Sequence, residues 1–109
     1  MDARGLVKAL GVPAHWDGCL QLEYACSMVL ADEKLLVNVG KLVYQPIADT
    51  FGISRRCVES NIHRALCHVW KSGNRRMLQE IMGAGLDKAP GNVQFIAAAC
   101  RYLRERAVS

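Results

Sequence analysis

The chain has 109 residues, a length suited to one domain of the usual roughly 100–150 residues and sufficient to bury about two-thirds of its unfolded surface. Apolar residues make up 51% of it but aromatics only 6%, the composition of helices packed through Leu, Val, Ile, Ala and Met. The net charge is a modest +4, no apolar run approaches the roughly 20 residues that span a bilayer, and no secretory leader is recognisable, so a membrane class is excluded and a cytoplasmic location is expected.

Asp2 is placed to cap a short helix that ends at Leu10, where Gly11-Val12-Pro13 stops it. From about Trp16 to Ala31 the residues Cys19, Leu20, Leu22, Ala25, Cys26, Met28 and Val29 recur at intervals of three and four, which predicts a central scaffold helix with one buried face. Asp32 then caps a third helix through Leu35, Leu36 and Val39, expected to end near Gly40-Lys41. A short helix follows from Gln45 to Phe51, with Pro46 suited to its first turn and Gly52 to the left-handed position after its end. Ser54 caps the longest helix, which runs to Ser72 and stops at Gly73. Its apolar positions Val58, Ile62, Ala65, Leu66, Val69 and Trp70 form one uninterrupted stripe. Asn74 caps a short helix to about Met82, the glycines and Pro90 between Gly83 and Gly91 make a loop, and Asn92 caps a last helix to about Arg106. No strand alternation or repeat is present. The expected fold is all-α, six to seven helices around a helix-turn-helix, with residues 1–109 forming a single domain.

That motif lies at Ile47 to Ser54 and continues into Val58, Ile62, Ala65 and Leu66. Ala48 is small enough to let two helices cross closely, Gly52 makes the tight turn, Ile53 is expected to plug the angle, and Ser54 starts the second helix. At about 100° per residue, Ile62 faces the core, while Arg56, Ser60, Arg64, Cys67 and Lys71 face outward. Cys57, Asn61, His63 and His68 flank that strip.

Charge placement points the same way. Between Ser54 and Arg76 stand six Lys or Arg (Arg55, Arg56, Arg64, Lys71, Arg75, Arg76) against Glu59 alone, a net +5 in a chain whose total is +4, so the remainder carries −1. A polyanion is the natural partner. Major-groove reading would fall to Arg56, Glu59, Ser60, Asn61, His63 and Arg64, since Arg can read guanine, Asn adenine, and a carboxylate can accept from cytosine. Phosphate contacts would fall to Ser54, Arg55, Lys71, Arg75 and Arg76. Double-stranded DNA is the expected partner.

The cysteines (Cys19, Cys26, Cys57, Cys67, Cys100) are five in number and never form a CxxC pair, so a disulfide framework is not expected. His15 and Cys19 have the spacing of a nucleophile pair, but a buried Cys on an amphipathic helix with a His near its start accounts for both, and no catalytic residue is assigned. His63, Cys67 and His68 lack a second ligand pair at a recognisable spacing, so no metal is assigned either, and no cofactor is expected. Trp16 and Trp70 are read as packing residues.

The sequence resembles the C-terminal effector domain of the master sporulation response regulator of spore-forming Gram-positive bacteria. The resemblance runs from about Leu6 to Arg104. It is carried by Gly11-Val12-Pro13-Ala14-His15, Gly18-Cys19-Leu20, Ser27-Met28-Val29, Lys41-Leu42-Val43-Tyr44, Pro46-Ile47-Ala48, Val58-Glu59, Ala65-Leu66, Trp70, Gly73-Asn74, and Asn92 with Phe95-Ile96-Ala97. It implies a transcription factor with the helix from Ser54 as its recognition helix, binding short DNA boxes, often as tandem homodimers. The family pattern reads Ser-Arg, Val-Glu-Arg-Ala and Ile-Arg-His where this chain has Arg56-Cys57, Val58-Glu59-Ser60-Asn61 and Ile62-His63-Arg64. The inward Val58 and Ile62 are kept and the outward positions are rewritten, including Ser60 where the family has a base-reading Arg. Two readings follow: a DNA-binding regulator with a different operator, or a protein-interaction module that keeps the fold and modulates a full-length sporulation-type regulator. The family's phosphorylated receiver domain is absent from these residues, which fits either a stand-alone regulator or an excised fragment.

Overall fold

The computed structural model describes residues 1–108. Among them it contains six α-helices: α1 (Ala3–Leu10), α2 (Asp17–Ala31), α3 (Gln45–Phe51), α4 (Arg55–Ser72), α5 (Arg75–Met82) and α6 (Asn92–Val108), with no strand. The fold is all-α.

Several boundaries follow from side chains that satisfy orphan backbone groups. Asp2 Oδ1 accepts from Gly5 N at 2.8 Å to open α1. Ser54 Oγ accepts from Cys57 N at 3.1 Å to open α4, and Asn74 Oδ1 from Met77 N at 3.1 Å to open α5. Two expectations fail. Asn92 does not cap α6: it is the first helical residue, and the first helical bond runs from Phe95 N to Gly91 O at 2.9 Å. The side chain of Asn92 instead donates to Glu59 O at 2.9 Å, bracing α6 against α4.

The third helix also differs. Glu33–Asn38 is a 3₁₀ segment, and Gly40–Tyr44 is a π-turn that continues directly into α3. Short-range side-chain bonds compete with α-helical pairing here: Asp32 Oδ1 accepts from Lys34 N and Asn38 Oδ1 from Lys41 N. Gly40 does not stop a helix. A Cβ there would lie 3.4 Å from Arg55 Nη1, so the position admits the approach of α4's first residue.

α2 is the hub, packed against α1, α4 and α6 and reaching the segment that leads into α3. Its burial departs by one residue from the expected stripe. Leu20 is exposed while Gln21 is completely buried, because that flank of α2 is covered by α4. Gln21 Oε1 accepts from Asn61 Nδ2 at 3.1 Å, whereas Gln21 Nε2 has no hydrogen-bond partner. At the same crossing, Gly18 allows the backbone of α4 to touch α2: a Cβ at Gly18 would lie 2.4 Å from Asn61 O. The other end of α2 is held by Arg104, whose Nη2 donates to Val29 O and Leu30 O at 3.3 and 3.2 Å.

The turn between α3 and α4 is as expected at Gly52, which adopts φ +67° and closes α3 through the bond from Ile53 N to Ala48 O at 3.0 Å. Ile53 itself does not plug the angle. It is 36% exposed, and the side chains buried on either side of the turn are Ile47, Ala48 and Val58. A Cβ at Gly52 would meet nothing within 4 Å, so any penalty for substitution comes from the backbone alone. Gly52→Val should therefore lower stability by roughly 1–3 kcal/mol and disturb the angle between the helices. A thermal melt checks this, and an unchanged melting temperature would mean that the left-handed geometry is not required.

Candidate nucleic-acid interface

α4 presents the candidate interface. Val58, Ile62, Ala65, Leu66 and Val69 are buried, which fixes the rotation of the helix and turns Arg56, Ser60, Arg64 and Lys71 to solvent. Cys67 lies on the same side, half-buried, and Cys57 and His63 are exposed beside it.

The strip is bounded differently on its two sides. Toward α2, Asn61 and His68 are withdrawn. Asn61 donates to Gln21, and the His68 ring meets Trp16 edge-on with centroids 5.0 Å apart. The expectation that Asn61 is free to read a base therefore does not fit its geometry, since its amide donor is engaged with the scaffold helix. On the opposite side, α4 faces the Gly83–Gly91 loop and the start of α6 across two adjoining grooves that share His63. One, of about 720 Å³, is lined by Tyr44, Glu59, Ser60, His63, Arg64 and Asn92 among others. The second, of about 780 Å³, runs between His63, Cys67, Lys71 and the loop residues Asp87 and Lys88. Glu59 is exposed at the rim of the first groove, beside Ser60 and Arg64. Burial pushes the Tyr44 hydroxyl up, partly offset by the neighbouring Asn92 amide.

The cations sort into two kinds. Arg75 is held: its Nε donates to Trp70 O at 2.8 Å and its guanidinium stacks 4.0 Å over the Trp70 ring, so it closes the end of α4 before it could serve a phosphate. Among the described residues, no hydrogen bond or ion pair engages Arg55, Arg56, Arg64, Lys71 or Arg76. Ser54 Oγ is an acceptor in its cap, which leaves its hydroxyl proton available to a phosphate. Lys88 was not legible as part of this surface, because it lies in a loop outside the basic window and joins it only through the packing of that loop beside α4. No group of three or more His, Cys, Asp or Glu among the described residues is arranged to hold a metal ion, and no described helix is long and apolar enough to cross a membrane.

The arrangement is a left-handed glycine turn, a capped helix, and an outward face of unpartnered cations. Against known families, the model described as sporulation initiation factor Spo0A C terminal matches residues 4–103. The chain belongs to this family. The Spo0A C-terminal family is one of DNA-binding regulatory domains, not of enzymes. Within it, the closed end of α4 has a structural basis: Gly73 takes Leu10 O so close that a Cβ would lie 2.7 Å away, and Asn74 N donates to the same oxygen at 2.9 Å. α1 thereby fixes where α4 of this Spo0A-type domain ends.

Proposed function

We propose that residues 1–109 act as one helix-turn-helix effector unit, a sequence-specific transcriptional regulator that lays α4 in the major groove of double-stranded DNA and catalyses no reaction. The observation that carries this reading is the outward face of α4, where Arg56 and Arg64 project without protein partners behind a positioned turn. Arg56, Ser60 and Arg64 occupy the first three turns, where a recognition helix meets base edges, with His63 and Glu59 at one margin. Ser54, Arg55, Lys71 and Arg76, joined by Lys88, are suited to phosphates on either side. Membership of a DNA-binding family supports the partner. Binding as a homodimer on tandem sites, in the cytoplasm and without a cofactor, completes the proposal.

The rewritten face supports a different operator from the family's. Ser60 stands where the family has an arginine, and Arg64 lies one helical turn further along, so its charge reaches a different base step. Selection from random-sequence DNA by electrophoretic mobility shift would give the operator. On it, Arg64→Ala should cost about 1–3 kcal/mol and little on random DNA, while Arg76→Ala should weaken both about equally. Arg76 is the cleaner phosphate probe, because removing Arg75 also uncovers Trp70. If Arg64→Ala left operator preference untouched, the strip would not be reading bases. The protein-interaction module, which the loss of the family arginine at Ser60 favours, would then take precedence.

A further inference from the structure

The cysteines divide sharply by environment. Cys19, Cys26 and Cys100 are buried, and burial pushes each thiol up, away from the reactive thiolate. Cys57 and Cys67 lie instead on the accessible side of α4. Only the second has a base beside it: Cys67 Sγ is 3.4 Å from His63 Nε2, one helical turn away. That pair opens on the groove of about 780 Å³ between α4 and the Gly83–Gly91 loop. The groove combines a rim of net positive charge, Lys71 and Lys88 against Asp87, with an apolar wall that includes Met82 and Leu86. A nucleophile, an adjacent proton acceptor, and a positively rimmed cleft of peptide size meet at one point.

We propose that Cys67 and His63 form a thiol–disulfide exchange site, where a small anionic disulfide leaves a mixed disulfide on the face of α4. His63 Nε2 takes the thiol proton and the Cys67 thiolate attacks one sulfur of the incoming disulfide. The S–S bond of that reagent breaks, a Cys67–sulfur bond forms, and the other half departs as a thiolate that recovers the proton from His63. One disulfide is consumed and one formed, so no further oxidant is needed, and excess small thiol reverses the step. Cys67 lies between Arg64 and Lys71 on the outward face, so the adduct would occupy space that DNA needs. That consequence, though not the exchange itself, rests on the function proposed above.

The test uses the full chain and glutathione disulfide, with mass spectrometry following adducts at Cys67 and Cys57 separately. Cys67 should react at least tenfold faster than Cys57. His63→Ala should remove that advantage and leave the Cys57 rate unchanged, which serves as the internal check that the variant is folded. Replacing glutathione disulfide by the neutral hydroxyethyl disulfide should shrink the ratio of the two rates, because the Lys71–Lys88 rim then confers no preference. Equal rates at the two cysteines, or a Cys67 rate indifferent to His63→Ala, would overturn the proposal. Operator affinity should fall at least tenfold on adduct formation, recover with dithiothreitol, and in Cys67→Ser be the same with and without glutathione disulfide. A chain that exchanges at Cys67 as described but retards no DNA would refute the DNA reading while leaving the exchange site standing.

Discussion

Gly18→Ala should be the most damaging small substitution in the chain. The added methyl would sit 2.4 Å from Asn61 O and 3.0 Å from Asn61 C, and both of these are backbone atoms of α4 that no rotamer change can move. Either α4 shifts away from α2, or the start of α2 unwinds. Overpacking of this kind costs typically 1–3 kcal/mol and sometimes more, and the rigidity of the obstacle puts this case at about 3 kcal/mol. For a domain of this size that corresponds to a fall in melting temperature of roughly 12–24 °C. The shift would also stretch the bond between Gln21 and Asn61, so α4 should lose its orientation before the chain loses its helicity. Gly85→Ala is the matched control, because nothing lies within 4 Å of its added carbon. A Gly18→Ala melt within a few degrees of the parent would show that the α2–α4 crossing is looser than its geometry.

Binding to DNA should fall steeply with salt. Each phosphate neutralised by a cation releases condensed counterions, and roughly 4–6 such contacts from Arg55, Lys71, Arg76, Lys88 and the arginines of the strip give a log–log slope of about −4 to −5 per domain. Between 50 and 200 mM salt the affinity should drop by roughly 250- to 1000-fold. Titrations at several salt concentrations measure the slope directly. A slope near zero would remove the electrostatic basis of the groove-binding reading, whatever the affinity at a single condition.

The architecture was legible in the sequence wherever a local rule decided the outcome. Asp2, Ser54 and Asn74 cap helices because their side chains reach an amide three residues on, and that spacing is written in the chain. Gly52 ends α3 in the left-handed region for the same local reason. One failure is local, the third helix that the Asp32 and Asn38 side chains turn into 3₁₀ and π segments; the others are tertiary. Nothing near Asn92 reveals that its amide will prefer a carbonyl 33 residues away. Leu20 and Gln21 exchange their expected places because α4 lies on one side of α2, a fact that periodicity within α2 does not contain. The same crossing takes Asn61 out of the candidate strip, and the packing of the Gly83–Gly91 loop brings Lys88 to its edge. The outward face of α4 was thus readable from the helical wheel, and its margins were not.

The unpartnered cations of α4 also bear on the chain in the absence of DNA. Arg56, Arg64 and Lys71 share one face of one helix, with Arg55 at its start and no acid among the described residues bridging them. Like charges on a helix surface repel, and mobile ions weaken that repulsion within a Debye length of about 10 Å at 0.1 M salt. Added salt should therefore raise the melting temperature of the free chain over the range in which it dissolves the complex. The same side chains would make the domain a poor neighbour to itself and a good one to a polyanion, so ionic strength acts in opposite directions on its folding and on its occupancy of DNA.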